Sequence, residues 1–246
     1  PTVTLGTASM SVCGNSYIPL TVSGTANTYT WAATVANTIY SNTSGTLYVP
    51  GANATTVYIK ASTTDTITVT GTNTASGCTD TASVTFTIVT KVWSGSWSPA
   101  GTPVSTDSVV INTNYSAGSF SGCTCKVNAG TVVFNSGETM TLSNELTVSG
   151  GSVTFNDGAS LLQTNNVTNV GNITYVRNSQ PCYKYDYTYW STPVASTTLG
   201  AVSPITSWDG FFAYNPAITN WQLMPSSTTM GIGKGYIIRV PDVGFN

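Results

Sequence analysis

The chain has 246 residues and a net charge of −2, and only 7% of it is charged against 40% hydrophobic and 11% aromatic. So much apolar residue excludes a disordered polyelectrolyte, and seven cations spread along the chain argue against a nucleic-acid surface, which needs a basic stripe to neutralise phosphates. Histidine is absent, which removes Ser-His-Asp triads, Cys-His dyads and His-based zinc or iron sites. No run has the length of a membrane span or the form of a signal peptide, so no membrane span is expected. The opening at Pro1 without an initiator Met reads as a processed or excised piece of a longer protein. Threonine makes up roughly a fifth of the residues. A β-branched surface in place of Lys and Glu favours strands, and the fold class expected is all-β.

Residues 1–91 read as an immunoglobulin-like β-sandwich. Alternating runs at Tyr17–Val22, Thr28–Trp31, Thr46–Val49, Thr66–Thr70 and Ser83–Ile88 are separated by Gly, Asn and Ser turns, the spacing of a sandwich of short strands. Trp31 is the expected core residue, and a Cys13–Cys78 disulfide would tie the early part of this segment to the late part. Five cysteines point to an oxidising compartment and leave one thiol over.

Residues 92–176 contain an internal repeat. With an offset of 21 residues, Val132 meets Val153, Phe134 meets Phe155, Asn135 meets Asn156, Met140 meets Leu161, Asn144 meets Asn165 and Leu146 meets Val167. A looser copy, Val109–Asn112, precedes Cys125–Asn128, and a half-copy trails from Gly171 to Val176. Apolar matches at a fixed period mean coils that bury their apolar side against neighbouring coils, so a short β-solenoid of about three coils is expected, with aromatic flanks such as Trp93–Trp97 capping its end. Cys125 falls at an inward position and Cys123 in the column of Asn144 and Asn165. A disulfide from Cys125 to Cys182, from Cys123 to Cys182, or between Cys123 and Cys125 fits the count better than a metal site. No metal or other cofactor is expected.

Residues 177–246 form a small aromatic-rich β domain that looks incomplete. Tyr183, Tyr185, Tyr187 and Tyr189 alternate, so on a strand they share one face. With Trp190 they are the candidate glycan contacts, against the plainer reading that the stripe is core or packs on the last coil. The Gly231-x-Gly233-x-Gly235 run lacks the following helix of a phosphate loop and reads as a turn entering a strand. Asp157-Gly158 reads as a coil turn, not a calcium loop. Glu138 and Glu145, the only glutamates, are the one carboxylate pair to weigh for glycoside hydrolysis. The repeat replaces them with Ala159 and Asn166, so they read as solvated charge and no catalytic residue is assigned.

The run Ala159–Gln163, then Asn169–Arg177, Tyr185–Val194 and Gly233–Arg239 is similar to the C-terminal part of large surface proteins of gliding Bacteroidota, of the Flavobacterium type, exported by the type IX secretion system. The first segment resembles the immunoglobulin-like repeats of the same proteins, with Cys13, Trp31 and Cys78 in their usual places. The resemblance implies an extracellular, cell-surface adhesin-like protein with no enzymatic activity, a stalk or tip segment serving surface or glycan attachment and gliding motility. Its partners would be surface glycans or other cell-surface proteins, and the secretion machinery through a C-terminal sorting domain that these residues lack. Asp65-Thr66, Asp80-Thr81 and Asp107-Ser108, each followed by an apolar residue, resemble the O-glycosylation acceptor of Bacteroidota, which would make Thr66, Thr81 and Ser108 acceptors. Two other expectations come from different classes: a structural subunit that self-assembles into a fibre or surface layer through unpaired strand edges, and a polysaccharide-degrading enzyme built on the β-helix.

Overall fold

A computed structural model describes residues 1–14, 16–36 and 38–241. The described residues are all-β apart from one four-residue helix, and they form two compact units, Pro1–Thr174 and Tyr175–Asn246.

The first unit opens with eight strands: β1 (Val3–Leu5), β2 (Ser9–Ser11), β3 (Ile18–Gly24), β4 (Thr28–Ala33), β5 (Ile39–Tyr40), β6 (Thr56–Ile59), β7 (Asp65–Thr72) and β8 (Thr79–Thr87). They make two four-stranded sheets, β1-β3-β6-β5 and β2-β8-β7-β4. Period-2 alternation explains why both sheets face one core. Along β7, Asp65, Ile67, Val69 and Gly71 are buried while the intervening threonines are half-exposed. Trp31, Val57, Ile59, Val84 and Phe86 join Ile67 and Val69 in a single buried cluster. The Trp31 indole N–H donates to the Ala54 carbonyl at 2.7 Å, so its polar edge is satisfied inside that core. The expected strand at Thr46–Val49 is reduced to a single bridge from Leu47 to Tyr40.

Strands β9 (Thr90–Trp93) and β10 (Trp97–Ser98) lead into the coil. Its rungs are β11 (Ser108–Ile111), β12 (Phe120–Gly122), β13 (Thr124–Val127), β14 (Thr131–Phe134), β15 (Thr139–Leu142), β16 (Leu146–Val148), β17 (Ser152–Phe155) and β18 (Ser160–Gln163). All rung-to-rung pairings are parallel, forming the faces β11-β13-β16, β12-β15-β18 and β14-β17. This is a β-solenoid, and between its last two full coils the register is the 21-residue offset: Cys125 opposite Leu146, Val132 opposite Val153 and Met140 opposite Leu161. The first coil is shorter, pairing Val109 with Cys125 and Phe120 with Met140.

Two devices lock that stack. Gly130 and Gly151 turn the chain at positive φ (90° and 75°), and a Cβ on Gly151 would lie 2.1 Å from the Gly130 carbonyl oxygen, so successive turns nest only without side chains. Inside, Phe134 and Phe155 stack at 5.1 Å with 12° between their planes. The aromatic column continues through Phe120 and Tyr115 to Trp97 and Trp93. β9 pairs parallel with β11 and antiparallel with β10, and this Trp93–Trp97 hairpin covers the open end of the coil. Past β18 the register slips. Thr147 bridges to Val170, not to Thr168, and the expected match of Leu146 with Val167 is not made. Val167 and Val170 are accordingly exposed.

The expected Cys13–Cys78 disulfide is corrected: Cys13 bonds Cys123, with a Cα–Cα separation of 5.1 Å. Cys13 lies beside the end of β8, since Ser11 pairs with Thr87 and Val12 N–H donates to the Thr87 carbonyl. Cys78 directly precedes the start of the same nine-residue strand. About 3.3 Å per residue separates the two ends by far more than the ~7 Å Cα limit of a disulfide. Cys123 instead emerges at the corner between β12 and β13, so the bond ties the two-sheet part to the coil within one compact unit, across the boundary expected at residue 91. Neither Cys125 nor Cys123 bonds Cys182, and Cys78, Cys125 and Cys182 are free thiols. Cys125 faces the coil interior, where burial pushes its thiol up to about 12.

A short strand, β19 (Thr174–Tyr175), stands at the junction of the units. The second unit contains β20 (Tyr187–Trp190), α1 (Leu199–Val202), β21 (Phe211–Asn215), β22 (Asn220–Leu223) and β23 (Tyr236–Arg239). The strands form one antiparallel sheet in the order β20-β23-β21-β22. One sheet face buries Phe211, Ala213, Tyr236 and Ile238 with Leu199 and Met230. Thr198 caps α1, its hydroxyl accepting from Ala201 N–H.

Candidate binding surface

The other face of that sheet is aromatic and open. Because alternate residues point to opposite faces, the partners of the buried set fix what lies outside. Tyr189 pairs with Ile237, Ile237 with Phe212 and Phe212 with Leu223, so one outward row runs apolar across all four strands. Tyr214 pairs with Trp221 beside it, their rings 5.6 Å apart edge to face, and Tyr187 meets Phe212 at 5.9 Å. β20 and β22 are the outer strands, about 14 Å apart at ~4.8 Å per strand, yet the Tyr189 and Trp221 rings approach to 6.3 Å. They lean toward each other over the strands between. Tyr189 is 81% exposed, and Tyr187, Tyr214 and Leu223 are also exposed. The Arg239 guanidinium, partnered by Asp209 at 3.0 Å, edges this face. The Asp209 carboxyl is held below its ordinary range, first by a hydrogen bond from Ser207 and then by Arg239.

The expected tyrosine stripe is split by the backbone. Tyr187 and Tyr189 belong to β20, but Tyr185 sits at φ 75° in a turn closed by Asp186, whose N–H donates to the Tyr183 carbonyl and whose carboxylate accepts from Tyr183 N–H. Tyr183 and Tyr185 are exposed but do not continue the strand face. Trp190 falls on the opposite side: it pairs with buried Tyr236, packs against the core cluster and donates from its indole to the Thr188 hydroxyl. Sequence parity could not find Phe212, Tyr214 and Trp221, because their proximity to Tyr187 and Tyr189 depends on strand order.

Beside β20 lies a cleft of about 470 Å3 lined by Tyr175, Arg177, Asn178, Ser179, Gln180, Thr188, Tyr189, Trp190, Ser191 and Pro193. The Arg177 guanidinium lies over the Tyr175 ring at 3.8 Å and donates to the Val176 carbonyl at 2.6 Å. A second depression, of about 690 Å3, shares the wall from Arg177 to Gln180 with Thr188 and Trp190.

The remaining candidates have structural partners. Glu138 and Glu145 stand at different corners of one coil, before β15 and before β16, and the Glu138 carboxylate accepts from Asn135 N–H. The three aspartates of the acceptor-like pattern all receive backbone N–H groups: Asp65 from Thr34 and Val35, Asp80 from Val3, and Asp107 from Val104. Thr81 is exposed, while Thr66 and Ser108 are half-buried. Gly231–Gly235 is a turn into β23, with Gly231 N–H donating to the Tyr236 hydroxyl, and Gly158 turns the coil at φ 81°. Among the described residues no group of three or more His, Cys, Asp or Glu side chains could hold a metal ion, and no helix is long and apolar enough to cross a membrane. The Cys13–Cys123 bond indicates an oxidising compartment.

No curated protein and no solved structure matches the chain. A family model does match, over residues 85–246, from within β8 through the coil to the end of the second unit. The chain therefore belongs to the family described as domain of unknown function DUF8693.

Proposed function

We propose that this chain is a non-catalytic extracellular attachment protein in which the first unit is a rigid spacer and the second unit carries the ligand. The observation that carries this reading is the outward sheet face built from Tyr187, Tyr189, Phe212, Tyr214 and Trp221. Contiguous exposed aromatics mark interaction surfaces, and flat rings suit the C–H faces of sugars. A coil locked by nested glycine turns and bonded through Cys123 to the preceding sheets resists bending, as a stalk must. In the finer form of this reading the first two sheets are an immunoglobulin-like sandwich. The protein is then a stalk or tip segment of a type IX-secreted surface adhesin of Bacteroidota, glycosylated at Thr66, Thr81 or Ser108 and serving gliding or surface attachment. Binding of the full chain to a polysaccharide panel tests it. Retention that Trp221→Ala abolishes without a change in thermal unfolding is expected, and absence of binding to every polysaccharide would sink it. A self-assembling subunit would instead grow with concentration in light scattering, where this reading expects a constant mass.

A further inference from the structure

We infer that the aromatic face extends past β22 onto Trp208, and that the enlarged site takes a single neutral glycan chain laid across the strands. This inference rests on the attachment reading and specifies its ligand. Trp208 is 75% exposed, although tryptophan is on average highly buried. The turn beneath it is firmly held. Gly210 N–H donates to the Ser207 carbonyl and Arg239 N–H to the Gly210 carbonyl, and the Thr206 hydroxyl donates to the Arg239 carbonyl at 2.9 Å. The Asp209 carboxylate accepts from both terminal nitrogens of Arg239. A fastened turn that holds its largest side chain out in solvent presents a ring before any ligand arrives, and such preorganisation favours binding.

Direction and length follow from the strand register. Tyr189, Ile237, Phe212 and Leu223 form one outward row across β20, β23, β21 and β22. Leu223, at the end of that row, also lines a depression of about 420 Å3 with Trp208, Met224, Pro225 and Ser226. The row spans about 14 Å from β20 to β22 at ~4.8 Å per strand and continues onto Trp208, a track several sugar units long. Ring orientation selects a single chain. Tyr189 stands at 60° and Tyr214 at 71° to Trp221, and Tyr187 at 68° to Phe212. Rings so inclined cannot lie together on a flat crystal surface, whereas a separate chain turns its sugar faces to each in succession. Charge selects a neutral one. The row carries no charged side chain, the described lining of the Trp208 depression includes none, and Asp209 and Arg239 are paired with each other. The Ser226 hydroxyl in that lining both donates and accepts, as sugar hydroxyls require.

Calorimetric titration of the full chain with neutral cello-, xylo- and manno-oligosaccharides, from disaccharide to hexasaccharide, and with a polygalacturonate hexasaccharide tests this, beside a pull-down on crystalline cellulose. Affinity for a neutral series is expected to rise at least about tenfold from disaccharide to hexasaccharide, without saturable retention on the crystalline form. Trp208→Ala should lower affinity for the neutral hexasaccharide about tenfold and leave the unfolding temperature unchanged. Equal affinity for disaccharide and hexasaccharide, tighter binding of the uronate than of every neutral hexasaccharide, or saturable retention on crystalline cellulose overturns the inference while the attachment reading stands. So does a folded Trp208→Ala variant that binds the hexasaccharide as the wild type does. No binding to any of these glycans sinks both. Should Trp208→Ala not fold, the length dependence of the wild type decides.

Discussion

The solenoid and the C-terminal sheet use the same side chains for opposite purposes. In the coil, Tyr115, Phe120, Phe134 and Phe155 point inward and are buried, each ring touching the next along the axis. In the C-terminal sheet, Tyr187, Tyr189 and Tyr214 point outward and are exposed, while the opposite face already supplies a core of Phe211, Tyr236 and Ile238. A coil has one interior to fill, and every aromatic on its inward register is needed there. A four-stranded sheet covered on one side has a face to spare, and an aromatic on that face adds little to folding. Aromatic content therefore does not distinguish a buried core from an exposed face; strand register does.

The largest effect should come from the coil. Phe155→Ala removes a fully buried ring stacked on Phe134 and is expected to cost about 3–5 kcal/mol in denaturant unfolding. Tyr189→Ala should stay within about 0.5 kcal/mol, and equal losses at the two sites would erase the contrast. Next is the disulfide. Replacing Cys13 and Cys123 with Ser together opens a loop of sequence separation 110 and should cost about 2–4 kcal/mol. Limited proteolysis should then cut between the two-sheet part and the coil, where the oxidised protein resists. A smaller effect is expected for Asn144→Ala. The Asn144 amide donates to both disulfide sulfurs and its carbonyl accepts from Asn165, so about 1–3 kcal/mol is at stake.

Alkaline pH should weaken the coil selectively. Burial raises Cys125 from 9.0 to about 12, and burial followed by the charge of Glu138 raises Tyr115 from 10.0 to about 12. Both groups hold their protons more tightly folded than unfolded. Their contribution is complete below about pH 9 and is lost as pH rises toward 12. Thermal unfolding followed from pH 8 to 12 should show a falling midpoint, with a shallower fall in Cys125→Val.

The coil was the most legible part of the sequence, because a parallel stack repeats its pattern in register. Val132 with Val153 and Phe134 with Phe155 are read from spacing alone and are paired as read. Legibility failed where the coil departs from its period. The looser copy at Val109–Asn112 does pair with Cys125–Val127 as read, but past the last full coil the slip to Val170 displaces Val167. The disulfide was hidden for a different reason. Sequence reading pairs Cys13 with Cys78 because both lie in the first segment, whereas the actual pairing follows from Cys13 and Cys78 lying at opposite ends of β8 and from Cys123 standing in the column of Asn144 and Asn165. In the C-terminal unit, alternation placed Tyr187 and Tyr189 together correctly but carried Tyr183 and Tyr185 along, because nothing local announces the positive φ at Tyr185. The aromatic face and the Arg177 cleft both depend on which strands are neighbours, and non-local pairing leaves no local signature.

The most direct test is the Tyr189→Ala, Trp221→Ala double variant of the full chain, measured for polysaccharide binding and thermal unfolding on the same sample. The account predicts binding reduced at least tenfold, with the unfolding midpoint changed by no more than a few degrees. Unfolding lost while the remaining folded protein binds as before would contradict it, and would make the outward face packing surface.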